Sequence, residues 1–342
     1  MSATTKDPVL IVGGSGFVGA QAARALRRLE QDLPIAIGGR NLERAGAVAK
    51  EIGNASAVKV DLDRPDLGLP GGQAFSAVAM FVKDDSLTSM KYALALGLPY
   101  LGISSGLFEI ASEVALYVRR PASAPILMAS HWLAGTATLP ALYFARELRS
   151  ITSIAIGAVL DEEDVGGPAA YADFERMTSA SPNGLILEDG KWRWVGGEGA
   201  ARSFVTVDGA EVRGQAFAVL DVASLAAATD ARSVRFDLAV GKTASRRRGE
   251  PFSTEIVIEI EGERSDGTIG RVRHEIVHPQ GQAPMTALGV ALAIQRLLGL
   301  AGGPPVGPGL YSPDVLLDPE TVVQQLQKIG TQIRRVEPAK EG

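Results

Sequence analysis

The chain contains no cysteine. Disulfides, thiolate metal ligands and cysteine nucleophiles are therefore excluded, and the composition suits a reducing compartment. A basic excess is also missing, because 34 lysines and arginines face 39 aspartates and glutamates for a net charge of −5. Binding to a phosphate backbone depends on such an excess, so we do not expect nucleic acid as the main ligand.

Long hydrophobic runs are absent too. The longest apolar helix candidate, Ala287 to Leu300, is interrupted by Gln295 and Arg296 and is too short to span a bilayer. Met1 to Pro8 carries charged residues and leads into only four apolar residues, which predicts no signal peptide. We expect a cytoplasmic protein with no membrane partner.

The first third of the chain alternates short apolar runs with amphipathic stretches. This alternation predicts a parallel sheet covered by helices on both faces, an α/β architecture. The predicted strands are residues 8–12, 34–38, 57–60, 76–82, 100–103 and 125–128.

The pattern of apolar and polar residues changes after about residue 150. Longer alternating strands are predicted at 153–160, 234–240, 254–261 and 270–277, the last two joined by an Asp266-Gly267 hairpin turn. We expect a second, α+β domain with a largely antiparallel or mixed sheet. With roughly 150 residues per domain, the chain divides into residues 1–129, completed by a C-terminal helix within 310–335, and residues 130–309.

A glycine-rich loop follows the first strand. Gly13-Gly14-Ser15-Gly16-Phe17-Val18-Gly19 contains G-x-G-x-x-G between a strand and a helix, the context that dinucleotide binding requires. Glycines let the backbone approach a pyrophosphate, whose charge rests on the amides at the helix start. The first domain is therefore predicted to be a doubly wound Rossmann-type sheet that binds a dinucleotide.

The end of the second strand indicates which dinucleotide. It reads Gly38-Gly39-Arg40-Asn41, with a cation where a carboxylate would accept bonds from an unmodified ribose. Arg40 suits a 2′-phosphate, and Asn41 is placed to cap the next helix. We predict NADP, with NADPH preferred over NADH. The other predicted cofactor contacts are Gly39, Asp61, Phe81 and Val82.

Two motifs are typical of other chemistries. His274-Glu275-Ile276-Val277-His278 matches H-E-x-x-H, but its alternation predicts a strand, where two such histidines lie roughly 13 Å apart and cannot share a zinc ion. Gly102-Ile103-Ser104-Ser105-Gly106 matches the G-x-S-x-G of serine hydrolases. A hydrolase using Ser104 remains an alternative, whereas no metal site is predicted.

The order of segments resembles the saccharopine dehydrogenase-like oxidoreductases over nearly the whole chain. Two departures are Pro168 in place of a threonine, and His131-Trp132 in a crossover loop that is rich in Asp, Pro and Gly in that family. The segments that carry the resemblance are 13–19, 38–41, 130–136, 164–168, 187–191, 286–287, 309–313 and 317–320.

The resemblance implies hydride transfer between NADP(H) and a C=N or C=O bond of a small amino-acid-like or polyamine-like substrate. His131 and Tyr171 are the acid/base candidates, and Trp132, Gly166 and Gly167 the candidate substrate contacts. The long strands of the second domain suggest a homodimer. A catalytically silent NADP(H)-binding sensor or scaffold is the other alternative.

Overall fold

The structure, a computed structural model, describes residues 7–164 and 166–336. Residues 1–6, which belong to the segment for which no signal peptide is predicted, lie outside the described residues, as do Val165 and residues 337–342. The chain divides into two compact units. Unit 1 comprises Met1–Ser130 and Thr286–Leu317, and unit 2 comprises His131–Met285 and Asp318–Gly342.

Strands and helices of both units are numbered in chain order. The strands are β1 Val9–Val12, β2 Ile35–Gly39, β3 Ala55–Lys59, β4 Ala77–Met80, β5 Tyr100–Gly102, β6 Pro125–Met128, β7 Ser150–Asp161, β8 Gly184–Glu188, β9 Lys191–Val195, β10 Ala201–Val205, β11 Glu211–Ala216, β12 Ser233–Gly241, β13 Thr254–Glu263, β14 Ile269–His278, β15 Gly309–Tyr311 and β16 Gln332–Val336. The helices are α1 Phe17–Leu29, α2 Leu42–Ile52, α3 Thr88–Leu96, α4 Ile110–Tyr117, α5 Thr138–Ala145, α6 Pro168–Ala180, α7 Leu220–Ala228, α8 Ala244–Arg247, α9 Ala283–Leu297, α10 Pro313–Leu316 and α11 Pro319–Lys328.

Unit 1 is built on a seven-stranded parallel sheet in the order β15-β6-β5-β4-β1-β2-β3. The predicted doubly wound sheet is confirmed. Strand order reverses at β1, where Val12 pairs with Gly38 of β2 on one side and Met80 of β4 on the other. Leu10 and Ile11 are fully buried because helices cover both faces. The residues that follow β1, β2 and β4 therefore start at one edge, the position where open α/β sheets bind ligands.

Unit 2 is built on a nine-stranded mixed sheet. Its main path is β10-β11-β12-β7-β13-β14-β16, and β8 pairs with both β12 and β9. Strands β12 and β7 are parallel, whereas β13 is antiparallel to both of its neighbours. The predicted hairpin after β13 and the predicted mixed sheet are both confirmed. Ile256, Ile258 and Ile260 alternate onto the buried face of β13, which is the period of a half-buried strand.

The last quarter of the chain is divided differently from the prediction. Residues 286–309 were expected in the second domain, yet most of α9 and strand β15 belong to unit 1, where β15 extends the sheet beside β6. The terminal helix was expected in the first domain, yet α11 packs on α5 and β16 pairs with β14 in unit 2. The pairing of β16 with β14 leaves no hydrophobic alternation in the sequence of β16 that could have predicted it.

The helices show no membrane-crossing candidate: within residues 7–164 and 166–336, none is both long and apolar enough to span a bilayer.

Candidate cofactor and active site

The glycine loop is a close backbone turn against the end of β4. Gly13 has φ of +82°, and its amide donates to the Gly38 carbonyl at 2.9 Å. A Cβ added to Gly13 would lie 2.9 Å from Cγ1 of Val82 and 3.2 Å from Cβ of Phe81. The structure thus brings Gly13, Phe81 and Val82 together, three of the residues predicted to contact the cofactor.

The remaining glycines of the loop leave no room for side chains. A Cβ on Gly14 would stand 2.8 Å from the Ile11 carbonyl oxygen, and one on Gly19 would stand 2.3 Å from the Gly13 oxygen. Gly16 is the N-cap of α1, no side chain caps that helix, and no acidic residue stands in its first turn. Amides and a positive helix end are therefore open to an anion, which fits a pyrophosphate.

The residues at the end of β2 include an exposed arginine. Arg40 is solvent-exposed and forms no hydrogen bond or ion pair with any other residue that the structure describes. Asn41 caps α2, as predicted, by accepting from the Arg44 amide at 2.9 Å. Gly39 faces Ser15, whose Oγ would lie 3.6 Å from an added Cβ. The cation predicted for a 2′-phosphate is available at the edge that holds the glycine loop.

Asp61 lies at the end of β3, one strand further along. The preceding residue, Val60, donates its amide to the Gly39 carbonyl at 3.1 Å. The Asp61 carboxylate accepts from the Asp63 amide at 3.1 Å, and its own amide donates to Leu67. Asp61 therefore shapes a turn that follows β3, the strand that pairs with β2.

Sequence reasoning missed a polar group at the ends of β4, β5 and β6. Lys83 forms an ion pair with Glu109 at 3.0 Å, and Glu109 also accepts from the Gly106 amide at 2.7 Å. Ser105 donates its hydroxyl to Glu113, whereas the Ser105 amide donates to Ser130 Oγ at 3.0 Å. We call Lys83, Ser105, Glu109, Glu113 and Ser130 the Lys83 cluster. One signal was available in the sequence: Lys83 is the first charged residue after the apolar run of β4.

The Lys83 cluster includes one carboxyl with an altered acidity. Burial raises the pKa of Glu113, with the nearby Glu109 charge adding to the effect. The hydrogen bond from Ser105 and the charge of Lys83 act in the opposite direction. Perturbed groups of this kind concentrate at functional sites, so the carboxyl edge of β4 to β6 is a candidate active-site surface.

The two alternative motifs can now be placed. Both histidines of H-E-x-x-H lie on β14, which is the strand that the alternation predicted. His274 pairs with Glu147 at 2.5 Å, and His278 bonds to Thr331 at 3.1 Å. In the G-x-S-x-G segment Ser104 is only 6% exposed, whereas a nucleophile elbow presents its hydroxyl at the top of the sheet.

A buried carboxyl accepts hydrogen bonds from the crossover loop of unit 2 and from the start of α5. Asp221 accepts from the Trp132 amide at 2.7 Å and from Thr138 Oγ1 at 2.6 Å. Burial raises the pKa of Asp221, while the charge of His131 and the two hydrogen bonds lower it. His131 itself is 5% exposed and bonds through Nε2 to Ser224 Oγ at 2.8 Å. This acid/base candidate is thus already part of a buried network.

Trp132, one of the substrate-contact candidates of unit 2, belongs to a cluster of aromatic rings. Trp132 packs edge-on against Phe217, with ring centroids 5.9 Å apart, and Phe217 stacks on Phe174 of α6 at 6.2 Å. Gly166 and Gly167, both with positive φ, directly precede α6. Tyr171 is one turn into α6, 54% exposed, and a hydrogen bond to Glu175 raises its pKa. Trp132 and the start of α6 therefore flank the same aromatic cluster.

Comparison with known proteins establishes the fold. No protein-family model and no curated protein sequence matches the chain. Among solved structures it is similar to apo saccharopine dehydrogenase (L-Glu forming) from Saccharomyces cerevisiae, with 14% identity and a TM-score of 0.65 over 97% of this chain and 100% of that one. It is also similar to an oxidoreductase from Agrobacterium radiobacter in complex with NAD+, L-tartaric acid and magnesium, with 15% identity and a TM-score of 0.50 over 95% and 97%. The predicted saccharopine dehydrogenase-like fold is confirmed.

Proposed function

We propose that the chain is an NADP-dependent oxidoreductase. One observation carries the proposal: the glycine loop follows β1 and Arg40 follows the adjacent strand β2, at the point where the strand order of the parallel sheet reverses. Gly14 and Gly19 leave no room for a Cβ, and Arg40 has no ion pair with any described residue. When bound, the dinucleotide supplies the hydride chemistry, and the chain supplies binding and orientation. The loop amides and the start of α1 hold the pyrophosphate, and Phe81 and Val82 line the side of the loop towards β4.

The preference for NADP rests on Arg40. A guanidinium holds a phosphate through paired, charge-assisted hydrogen bonds and gains little from a bare hydroxyl. No carboxylate stands at Gly38, Gly39 or Asn41 to accept bonds from an unmodified ribose. The Agrobacterium radiobacter oxidoreductase was solved with NAD+, so the choice between the two nucleotides has to come from this chain's own residues.

We further propose that the substrate has a C=N or C=O bond to be reduced, or the corresponding CH–NH or CH–OH group to be oxidised, and is amino-acid-like or polyamine-like. The resemblance of the segment order supports this class. In unit 2, the amides of Gly166 and Gly167 at the start of α6 are proposed to hold a substrate carboxylate, with Trp132 beside it. His131 and Tyr171, the acid/base candidates that the sequence offers, belong to the same unit.

Steady-state oxidation of NADPH with amino acids paired with keto acids or aldehydes tests the proposal. We expect turnover with at least one pair, and NADPH to outperform NADH. Tight NADPH binding without turnover on the whole panel would instead favour a silent sensor. Covalent labelling of Ser104 by a fluorophosphonate would favour the hydrolase.

We also propose a cytoplasmic homodimer. The unit 2 sheet carries pairs of opposite charge, including the partly exposed Arg271–Glu259 pair at 2.5 Å and the Arg202–Asp237 pair at 2.6 Å, in which Asp237 is buried. Such a mixed surface can be self-complementary about a twofold axis. Light scattering should give the mass of a dimer, and a monomer mass at high protein concentration would refute it. Cell fractionation tests the cytoplasmic location, which the cysteine-free composition supports.

A further inference from the structure

The Lys83 cluster lies on the side of the glycine loop that the adenosine half does not use. The end of β2, with Arg40, flanks β1 on one side, and the end of β4 flanks it on the other. A pyrophosphate on the glycine loop with its adenosine ribose at Arg40 therefore directs the nicotinamide half towards β4. Lys83 comes directly after Val82, the residue that meets Gly13.

The ammonium of Lys83 is held by an ion pair, and the side chain remains partly exposed to solvent. Its side chain is 17% exposed, so a small molecule at the edge can reach it. Glu109 fixes it at 3.0 Å and is itself fixed by the Gly106 amide. The other nearby carboxyl, Glu113, accepts from Ser105, and burial raises its pKa, so Glu109 is the carboxylate that pairs with Lys83.

The acid/base candidates of unit 2 are placed less favourably for proton donation. His131 is almost fully buried and already bonded to Ser224. The hydrogen bond from Tyr171 to Glu175 raises the pKa of the phenol. Lys83, in contrast, shares its compact unit with the glycine loop, and its N–H donors lie at a partly exposed position.

We propose that Lys83 is the catalytic proton donor for the hydride transfer, positioned by Glu109; this rests on the proposed oxidoreductase function. During reduction, the hydride would leave the nicotinamide C4 of bound NADPH, where a C–H bond breaks to give NADP+, and a new C–H bond would form at the substrate carbon. The electron pair of its C=N or C=O bond takes a proton from the Lys83 ammonium. The lysine is left as a neutral amine and regains a proton from water, and oxidation runs the same steps in reverse.

Amine-labelling with an acylating reagent, read by mass spectrometry, tests the placement of Lys83 without needing a substrate. NADPH at about ten times its Kd should slow labelling of Lys83 about tenfold, because only about a tenth of the protein remains free. The fragment 2′-phospho-ADP-ribose, which lacks the nicotinamide, should leave the labelling rate unchanged. Lys91 is the control, since its ammonium is exposed and bonded to the Ser86 carbonyl.

The outcomes separate this proposal from the proposed function. Equal labelling of Lys83 with and without bound NADPH, or equal protection by the fragment, would overturn the placement of Lys83 while leaving NADPH binding intact. Failure of the whole protein to bind NADPH would refute the proposed function itself.

A kinetic comparison tests the role of Lys83 with any substrate pair that is turned over. Lys83→Met should lower kcat by about 10²- to 10⁴-fold, the usual contribution of a general acid, with little change in the Kd of NADPH. Lys83→Arg should retain the ion pair with Glu109 but transfer protons poorly, so kcat should stay low. Lys91→Met should behave as the unaltered protein. A Lys83→Met variant with unchanged kcat would show that the Lys83–Glu109 pair is only structural.

Discussion

The candidate sites of the two units differ in whether backbone or side-chain groups form them. In unit 1 the candidate cofactor site is mostly backbone: amides at the start of α1 and glycines, two of which admit no Cβ. In unit 2 the acid/base candidates are side chains already engaged with neighbours: His131 bonds to Ser224, and Tyr171 bonds to Glu175. A site built from backbone amides depends on the residues of one short segment. A side-chain network forms only after distant segments have packed together. The following predictions test that contrast.

Gly19→Ala should have the largest effect, because it attacks the backbone site directly. The new Cβ would stand 2.3 Å from the Gly13 oxygen, and backbone cannot move aside as a flexible side chain does. The loop and the first turn of α1 must shift, so we expect NADPH affinity to fall by more than about 100-fold. Fluorescence titration of NADPH measures the loss.

Gly46→Ala is the matched control within unit 1. Gly46 lies inside α2, and an added Cβ there meets nothing within 4 Å. Alanine in a helix interior is favoured over glycine by about 1 kcal/mol, so this variant should bind NADPH normally and unfold at a slightly higher temperature. Equal NADPH affinities for the two variants would show that the close approach at Gly19 is irrelevant to binding.

In unit 2 we expect a buried histidine to make the folded protein less stable at acidic pH. Burial lowers the pKa of His278 to about 4, and its Nε2 has no hydrogen-bond partner among the described residues. The unfolded chain binds this proton at its ordinary pKa near 6.5, so the stabilisation is fully present above that pH and is lost as the pH falls towards 4. We expect a loss of about 2 kcal/mol at pH 5.

Denaturant unfolding monitored between pH 7.5 and 4.5 measures this loss. His278→Gln removes the titrating group, so the variant should lose less stability over the same interval than the unaltered protein, even if it starts lower. Parallel pH profiles for the two proteins would contradict a neutral, buried His278. The readout reports unfolding rather than NADPH binding, which keeps it separate from the tests in unit 1.

Arg40 should set the choice of nucleotide. The protein should prefer NADPH to NADH by about 10- to 100-fold, since a charge-assisted pair contributes roughly 1.5–3 kcal/mol. Arg40→Ala should remove most of that preference and leave NADH affinity nearly unchanged, and Arg40→Asp should reverse it. Arg44→Ala, one turn further along and equally exposed, is the control. An Arg40→Ala variant that keeps its preference would reduce Arg40 to a surface residue.

What the sequence could predict follows the same division. The parallel sheet, the glycine loop and the Asn41 cap were predictable because each depends on local spacing and residue type. Strand β9, Lys-Trp-Arg-Trp-Val, was missed because most of its side chains are exposed, so no alternation marks a buried face. The Lys83 cluster was missed because it joins residues 83, 105–113 and 130, which meet only when β4, β5 and β6 pair.

The smallest expected effects come from two equivalent helix caps, one in each unit. Asn41 accepts from the Arg44 amide at 2.9 Å to cap α2, and Asp318 accepts from the Thr321 amide at 2.8 Å to cap α11. Replacing either residue by alanine should cost about 1 kcal/mol of unfolding free energy, the usual value of such a cap.

The pair separates local stability from cofactor binding. Asn41 follows Arg40 at the edge of the cofactor site, so Asn41→Ala should also weaken NADPH binding, since the start of α2 loses its fixed geometry beside the ribose phosphate. Asp318→Ala should match it in thermal unfolding and leave the Kd of NADPH unchanged. Thermal melts and NADPH titrations on both variants measure the two quantities side by side. Equal NADPH affinities in both variants would assign Asn41 a capping role alone and remove it from the cofactor site.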